Sequence, residues 1–273
     1  MFNKLSKDNE KYFLYFFSLS FIFLSYTIIS NIYLCVDTNV FPDLLKKMLH
    51  PAFLPPTQEI LLFLVKSIMD GTLQIHLFSS FSRTFIGLIV GTILGFLMGF
   101  LMAWFKKIDY TLDPIYELLR PIPPISFVTL FILWFGIGDF SIILLIIYGS
   151  FVVTLIPTYH AIKEVPDIYF KAAKVLGANT KMLLLKVVFP AASPRILAGF
   201  RYAVMGAWGM VVAAELIGST SGIGYLISKS QATLDTHAVL AGIMVLVSCA
   251  FIFDAIVRFL ISYLTRWMKR GRW

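Results

Sequence analysis

Charged residues and cysteine are both scarce in this sequence of 273 residues. Only 14% of the residues are charged, against roughly 25% in a soluble domain, while 59% are apolar and the mean hydropathy is +0.84. The two cysteines, Cys35 and Cys249, are too few and too far apart to indicate a disulfide framework or a metal site. The composition therefore excludes a soluble globular domain and favours a chain that lies mostly in lipid.

Motifs for nucleotide binding and for enzymatic chemistry are also missing. The sequence has no G-x-x-x-x-G-K-[ST] phosphate loop, no H-E-x-x-H pair, no clustered metal ligands and no plausible pair of nucleophile and base. We therefore predict that the chain is not an enzyme and carries no catalytic residue, no metal and no cofactor of its own.

Long uncharged runs predict an all-α membrane protein with six spanning helices. A helix needs roughly 20 apolar residues to cross the hydrocarbon, and such runs occur at Tyr12–Val36, Thr84–Phe105, Phe140–Ile162 and, slightly shorter, Pro121–Gly138. Two further spans are predicted at Ile196–Leu216 and from Thr236 to about Leu264. The first run is too long for a signal peptide and no small-x-small site follows it, so we expect it to remain uncleaved.

These spans divide the chain into segments. We predict a cytoplasmic tail at 1–11, a first transmembrane helix at 12–34, an outside segment at 35–75 with a short surface helix, a transmembrane domain at 76–260 and a basic cytoplasmic tail at 265–273. Five helices follow the outside segment, at about 78–105, 122–138, 140–160, 196–217 and 237–264, and a cytoplasmic loop occupies 161–195.

The positive charges orient the spans. With the N-terminus in the cytoplasm, 17 of the 23 lysines and arginines fall inside, four fall outside, and Arg83 and Arg258 lie in or at the ends of spans. The opposite orientation would break the positive-inside rule. We therefore predict a multi-pass protein of the bacterial plasma membrane with both termini in the cytoplasm. Topology accounts for the basic loops, so we expect no nucleic-acid partner.

The second span carries a glycine at every fourth position: Gly87, Gly91, Gly95 and Gly99. Residues four apart share one helix face, and small residues there let another helix approach closely. This glycine stripe predicts a tight contact between helices.

Prolines break the start of the third span. Pro121, Pro123 and Pro124 lack backbone donors and force an extended entry before Ser126. Irregular backbone at membrane depth is tolerated where protein or a water-filled cavity surrounds it. Pro123, Pro124 and Ser126 are therefore candidates for lining a translocation path, and a simple loop before a helix is the other interpretation.

Three further residues in the spans are candidates for the path. Glu215 is a carboxylate near the end of an apolar span, so it is functional, lies at the outer interface, or is bound to the backbone turn at 218–224. Arg83 follows a serine-rich stretch and either attracts an anion or lies among lipid phosphates. Trp208 either lines a passage or packs. In the last span, Asp254 and Arg258 are four apart and are expected to pair.

The loop at 161–195 has the pattern of two short helices. Pro166 and Asp167 suit a helix start, and an apolar stripe of Ile168, Ala172, Val175 and Leu176 follows. Gly177 is suited to a left-handed helix end, and Asn179 to the cap of a second helix that runs until Pro190. An apolar stripe that lipid cannot cover usually docks into a partner.

This loop resembles the EAA loop of bacterial ABC importer permeases. The stretch KAAKVLGANTKMLLLKVVFPAASP matches the family pattern at Ala172, Ala173, Gly177 and Pro190, whereas Lys171 stands at the usual glutamate position. LLRPIPPISFVTLFILWFGIG and GFRYAVMGAWGMVVAAELIGSTSGIGYLI are similar to the third and fifth spans of the branch that imports nitrate, sulfonates and taurine.

The resemblance implies a type I ABC importer permease fold, with the segment 76–260 as the transmembrane type-1 domain. It implies a second permease copy, expected as a homodimer, two ATPase subunits that bind ATP and Mg, and an extracytoplasmic substrate-binding protein. The ATPase-coupling loop would then include Lys171, Ala172, Ala173, Gly177, Ala178 and Pro190. The alternatives are a thiamine-pyrimidine precursor or riboflavin as solute, and, more remotely, an ATP-independent secondary transporter.

Overall fold

The computed structural model describes residues 21, 24–31 and 54–265, and all the regular elements in these ranges are helical. Of the first predicted span, 12–34, the structure describes residues 21 and 24–31, and these are helical; the basic C-terminal tail lies outside the described residues from residue 266 onward. The helices are α1 (Thr57–Met69), α2 (Thr72–Trp104), α3 (Lys106–Leu119), α4 (Val128–Phe135), α5 (Asp139–Lys163), α6 (Asp167–Val175), α7 (Thr180–Leu183), α8 (Phe189–Gly218), α9 (Ile223–Ala232) and α10 (Thr236–Leu264).

Four helices in the described part of the chain are long and apolar enough to cross a membrane. They are α2, α5, α10 and the continuous helical segment Thr180–Gly218, which contains α7 and α8. The bent pair Lys106–Leu119 and Pro124–Phe135 makes a fifth span if it is counted as one. The chain is thus an all-α, multi-pass membrane protein.

The segment 122–138 differs from the spanning helix expected there. It begins with a 3-10 turn at Pro124–Phe127 and continues as the eight-residue α4, and the chain bends by 82° between α3 and this segment. Pro121, Pro123 and Pro124 prevent a continuous helix at the start. Gly136 and Gly138, with φ of +81° and +150°, end α4 before α5 begins.

The chain forms two compact units. The smaller unit comprises Met1–Gly71 and Lys229–Ala241. Within it, the Tyr26 hydroxyl donates to the carbonyl oxygen of Pro55 at 2.9 Å, and Glu59 pairs with His237. The larger unit comprises Thr72–Ser228 and Gly242–Trp273 and contains the main core. This core includes Leu88, Ile142, Ile146, Val211 and Val257.

The glycine stripe of α2 lies against α5 inside the larger unit. A Cβ atom on Gly91 would come within 2.5 Å of the carbonyl oxygen of Ile147, and one on Gly99 within 2.7 Å of that of Leu155. A Cβ atom on Gly95 would likewise meet the carbonyl oxygen of Phe151, and one on Gly87 would meet the side chain of Ile146. The two backbones therefore approach too closely for any side chain larger than hydrogen.

Replacing Gly91 with alanine is expected to destabilise the larger unit by about 1–3 kcal/mol, because the added methyl group overlaps a backbone oxygen that cannot move away cheaply. The measurement is the melting temperature of the purified protein in detergent. Gly209→Ala is the matched control, since Gly209 lies in the helix α8 and a Cβ atom added there would meet no other atom within 4 Å. Equal melting temperatures for the two variants would contradict a tight α2–α5 contact.

Candidate functional site

A buried ion cluster joins the start of α2, the start of α5 and the end of α8. Nη1 of Arg83 lies 2.6 Å from Oε1 of Glu215, and Nη2 lies 2.6 Å from Oδ1 of Asp139. The side chains of Arg83 and Glu215 are 2% and 0% exposed, whereas that of Asp139 is 70% exposed. One arginine in the interior thus holds one buried and one accessible carboxylate.

The Glu215 carboxylate accepts hydrogen bonds on both of its oxygens. Both its oxygens accept from the Ser80 hydroxyl at 2.8 Å, and Oε2 also accepts from the backbone N–H of Gly224 at 2.9 Å. A Cβ atom on Gly222 would overlap this carboxylate, and one on Gly224 would lie 2.7 Å from the Cβ of Glu215. The two glycines therefore leave the space that the carboxylate fills.

The loop between α8 and α9 is tied to the same arginine. Nη1 of Arg83 donates to the Ser221 carbonyl oxygen at 2.7 Å, and Nη2 donates to the Ser221 hydroxyl at 2.6 Å. The backbone N–H of Gly222 donates to Nδ1 of His76 at 3.0 Å, and that of Ile223 donates to Ser80 at 2.8 Å. The cluster therefore clamps this loop onto the first turns of α2.

This geometry differs from the expected exposure of Arg83 and Glu215 to a path or to lipid phosphates. Both side chains are buried and paired with each other inside the protomer, because an isolated charge in an apolar interior is costly. The turn at 218–224 supplies part of the pairing, as one interpretation of Glu215 held. Asp139 and His76 were missed because their partners are distant in sequence: Asp139 lies 56 residues from Arg83, and His76 lies 146 residues from Gly222.

The other path candidates separate by burial. Trp208 is 3% exposed and belongs to the main core, where its ring contacts Phe253, so it packs inside the protomer and does not line an open surface. Pro123 and Ser126 are exposed and Pro124 is half-buried, at the proline break before α4.

The loop between α5 and α8 divides into a buried and an exposed side. Ala173 is buried against a small core that includes Ile162, Leu183 and Val188, and Ala178 packs against the same core. Ile168, Val175 and Leu176 are 63%, 86% and 86% exposed, and Ala172 and Lys171 are exposed beside them. The Ala173 side chain therefore holds α6 onto the protomer, and the membership of Ala173 in a coupling loop stays a prediction.

The turn at Gly177 has the expected left-handed backbone, with φ of +75°. The backbone N–H of Ala178 donates to the Ala173 carbonyl oxygen at 2.9 Å, and that of Gly177 to Lys174 at 3.0 Å. The Asn179 side chain accepts from the backbone N–H of Met182 at 2.8 Å and caps α7 as expected. This turn fixes the direction in which α6 leaves the membrane helices.

The helix capped by Asn179 does not end at Pro190, contrary to the sequence expectation. A π-helical turn at Leu184–Val188 precedes Pro190, and the helix continues through Pro190 and Pro194 to Gly218. A π turn changes the local hydrogen-bond register, so that the missing N–H of a proline just after it breaks no regular bond. Pro190 lies at such a position, in the first turn of α8.

An ion pair lies at the base of this loop. Arg195 donates to the carboxylate of Glu164, and this hydrogen bond lowers the pKa of Glu164 below its ordinary value. His160 lies 4.0 Å from the same carboxylate. Both partners are exposed, so the pair contributes little to stability, but it links the end of α5 to the start of α8.

Comparisons with known proteins agree with this arrangement. The family described as "Binding-protein-dependent transport system inner membrane component" matches residues 91–266. The taurine transport system permease protein TauC of Escherichia coli K12 is 37% identical over 226 residues, which cover 81% of this chain and 82% of the relative. The putative aliphatic sulfonates transport permease protein SsuC of Bacillus subtilis 168 is 37% identical over 214 residues, which cover 78% of each chain.

A solved structure has the same fold. A chain of the MetNI methionine ABC transporter in an inward-facing conformation aligns with a TM-score of 0.61 at 18% identity, covering 69% of this chain and 94% of that one. Family match, relatives and fold point in the same direction: the chain belongs to the inner-membrane permease components of binding-protein-dependent ABC importers, in the branch of the nitrate, sulfonate and taurine permeases.

Proposed function

We propose that this chain forms the translocation path of an ATP-driven importer for a small organic sulfonate, with taurine as the first candidate. The names of the two relatives support this solute class. In this proposal two copies of the chain enclose the path, two ATPase subunits bind from the cytoplasm, and an extracytoplasmic binding protein delivers the solute. Both termini then lie in the cytoplasm, where most of the positive charge is.

The observation that carries the proposal is the exposed apolar stripe of α6. Ile168, Ala172 and Val175 lie on one face of the nine-residue α6, Leu176 follows directly, and Ala173 on the adjacent face anchors the helix to the protomer. A surface that stays in water is usually charged or polar. Exposed apolar side chains on one helix face instead indicate binding in a groove of a partner protein. An apolar surface that is anchored to the protomer in this way can transmit a movement of the ATPase to the membrane helices.

The path itself is proposed to run along one face of α8. Tyr202, Met205 and Gly209 follow one another at helical spacing, and all three are exposed although the opposite face of α8 forms the main core. The proline break at Pro123 and Ser126 is exposed as well. In a complex of two copies these surfaces would face each other across the path.

The buried cluster counts against the ATP-independent alternative. A secondary transporter usually couples to ions through accessible titratable groups in the membrane. Glu215 was the strongest candidate for that role, yet it is fully buried and bonded to Arg83, Ser80 and Gly224. Its contacts suit a structural clamp.

Reconstituted transport tests the proposed function. The permease, its ATPase and its binding protein are placed in proteoliposomes with labelled taurine, with an alkanesulfonate tested in parallel. We expect uptake that requires ATP and the binding protein together. Uptake driven by an ion gradient without ATP would support the secondary transporter, and uptake of riboflavin or a pyrimidine in place of sulfonates would overturn the solute class.

A further inference from the structure

A second ion cluster lies between α8 and α10, far from Glu215. Nε and Nη2 of Arg201 donate to the two carboxylate oxygens of Asp254 at 2.9 and 3.3 Å. Nε of Arg258 lies 3.1 Å from the same carboxylate. Two arginines thus share one aspartate, and this Arg201–Asp254–Arg258 cluster carries a formal net charge of +1.

The cluster is open to its surroundings and only partly satisfied. Asp254 is 16% exposed, whereas Arg201 and Arg258 are 41% and 43% exposed. Among the described residues, the terminal nitrogens of Arg258 have no hydrogen-bond partner. The Arg258 guanidinium is therefore available for charge-assisted hydrogen bonds to an anion from outside the protomer.

The position along α8 places the cluster at the level of lipid headgroups. Arg201 lies 17 residues before Gly218, the end of α8 next to the Arg83–Glu215 cluster. At 1.5 Å per residue this is about 26 Å, close to the roughly 30 Å thickness of the hydrocarbon core. The basic residues Arg266, Lys269, Arg270 and Arg272 follow α10 closely in sequence.

Apolar side chains flank the cluster where lipid chains would lie. Phe251, Ile252 and Phe259 of α10 are all more than half exposed. The ring of Phe251 lies 6.0 Å from the guanidinium carbon of Arg258. A free anion in water would leave these surfaces uncovered, whereas a phospholipid covers them with its acyl chains and meets the arginines with its phosphate.

We propose that the Arg201–Asp254–Arg258 cluster binds the phosphate group of an anionic phospholipid. Arg258, whose terminal nitrogens have no partner in the described part of the chain, supplies the main contact, and Arg201 is held in place by Asp254. Basic pockets between membrane helices are suited to acidic headgroups, and guanidinium groups are suited to phosphate oxygens. With the orientation given in the proposed function, this lipid belongs to the cytoplasmic leaflet; the binding itself does not rest on that orientation.

The test is retention of lipid by the full-length permease in dodecyl maltoside. The purified protein, with any subunit that copurifies, is titrated with phosphatidylglycerol or phosphatidylcholine, and bound lipid is counted by native mass spectrometry. We expect selective retention of phosphatidylglycerol. R258Q is expected to weaken it about five-fold, the effect of one arginine near a charged headgroup, and R258K is expected to remain within two-fold of the parent.

D254N separates lipid binding from a purely structural role. It breaks the ion pairs within the protomer but raises the net charge of the cluster to +2, so phosphatidylglycerol retention should be equal or greater. If D254N and R258Q both lose the lipid, the cluster only holds helices together and the proposal is overturned. R120Q is the matched control, because Arg120 is an exposed arginine paired with Glu117 at a different site.

Further outcomes identify other occupants. If the parent retains inorganic phosphate as strongly as phosphatidylglycerol, the cluster is a site for a free anion. If the parent retains taurine there, the cluster is a site for the solute. A disulfide between two copies of an Arg258→Cys variant would assign it to the interface between permeases. Each of these overturns the lipid site, and none affects the uptake assay that tests the proposed function.

Discussion

Replacing Arg83 with methionine is expected to destabilise the larger unit by about 3–5 kcal/mol, because it leaves Glu215 buried with no charged partner. Methionine has a similar length and keeps the packing volume, so the effect reports the lost charge and hydrogen bonds. The measurement is the melting temperature and the yield of monodisperse protein in detergent. Transport should fall with the amount of folded protein, since Arg83 is buried and reaches no solute.

Two matched variants separate the buried charge from the exposed one. Asp139→Asn removes a carboxylate that also contacts Arg83, but Asp139 is largely exposed, so the expected cost is no more than about 1 kcal/mol. The double variant Arg83→Met with Glu215→Gln removes both buried charges together. It should be more stable than Arg83→Met alone, because the unpaired carboxylate is gone.

The opposite order would contradict the clamp. If Asp139→Asn is as damaging as Arg83→Met, the exposed pair carries the stability and the burial of Glu215 is unimportant. If Arg83→Met is as stable as the parent but transports no solute, Arg83 acts on the solute, as one sequence interpretation held.

Helical spacing is the part of this fold that the sequence predicts well. Uncharged runs mark the long helices because lipid requires about 20 apolar residues per span. The stripe Gly87 to Gly99 predicts a face for close approach, and the structure places α5 against it. The positive φ of Gly177 and the cap at Asn179 were also predicted, because each depends on a few neighbouring residues.

Contacts between distant segments could not be predicted in the same way. The pairing of Arg83 with Glu215 joins residues 132 positions apart, and that of Arg201 with Asp254 joins residues 53 apart. The sequence predicts Arg258, four residues away on the same helix, as the partner of Asp254, and it gives no sign of the second partner Arg201. The same limit explains Ala173, whose burial depends on Leu183 and Val188 folding back onto α6.

Prolines mislead for a related reason. Pro190 was expected to end a helix, since proline lacks a donor and its ring meets the preceding turn. The π turn at Leu184–Val188 absorbs this conflict, and the helix continues to Gly218. At Pro121, Pro123 and Pro124 no such turn is available, and the span breaks as the prolines require.

Gly177→Val is expected to leave the protein in the membrane but to separate it from its ATPase. Gly177 has φ of +75°, a conformation that costs a β-branched residue roughly 1–2 kcal/mol. No atom lies within 4 Å of a Cβ placed there, so the penalty comes from the backbone alone and does not reach the main core. A change of this size corresponds to about a 5- to 30-fold loss of the native turn.

The effect follows from the direction of α6. Gly177 and Ala178 close the turn by hydrogen bonds to Lys174 and Ala173, and this turn sets how Ile168, Val175 and Leu176 are presented. If these side chains bind in a groove of the ATPase, a distorted turn moves them out of that groove. The permease should then be purified in normal amount, with less ATPase bound and with ATP hydrolysis that the loaded binding protein no longer stimulates.

Gly177→Asn is the matched control, because asparagine adds a side chain of similar size and still adopts the left-handed conformation at little cost. It should retain the ATPase and its stimulation. Leu176→Asp tests the same contact without changing the backbone, and we expect it to behave like Gly177→Val, since a carboxylate cannot enter an apolar groove without a large desolvation penalty. Normal ATPase retention with normal stimulation in both Gly177→Val and Leu176→Asp would show that force from ATP hydrolysis enters this chain elsewhere.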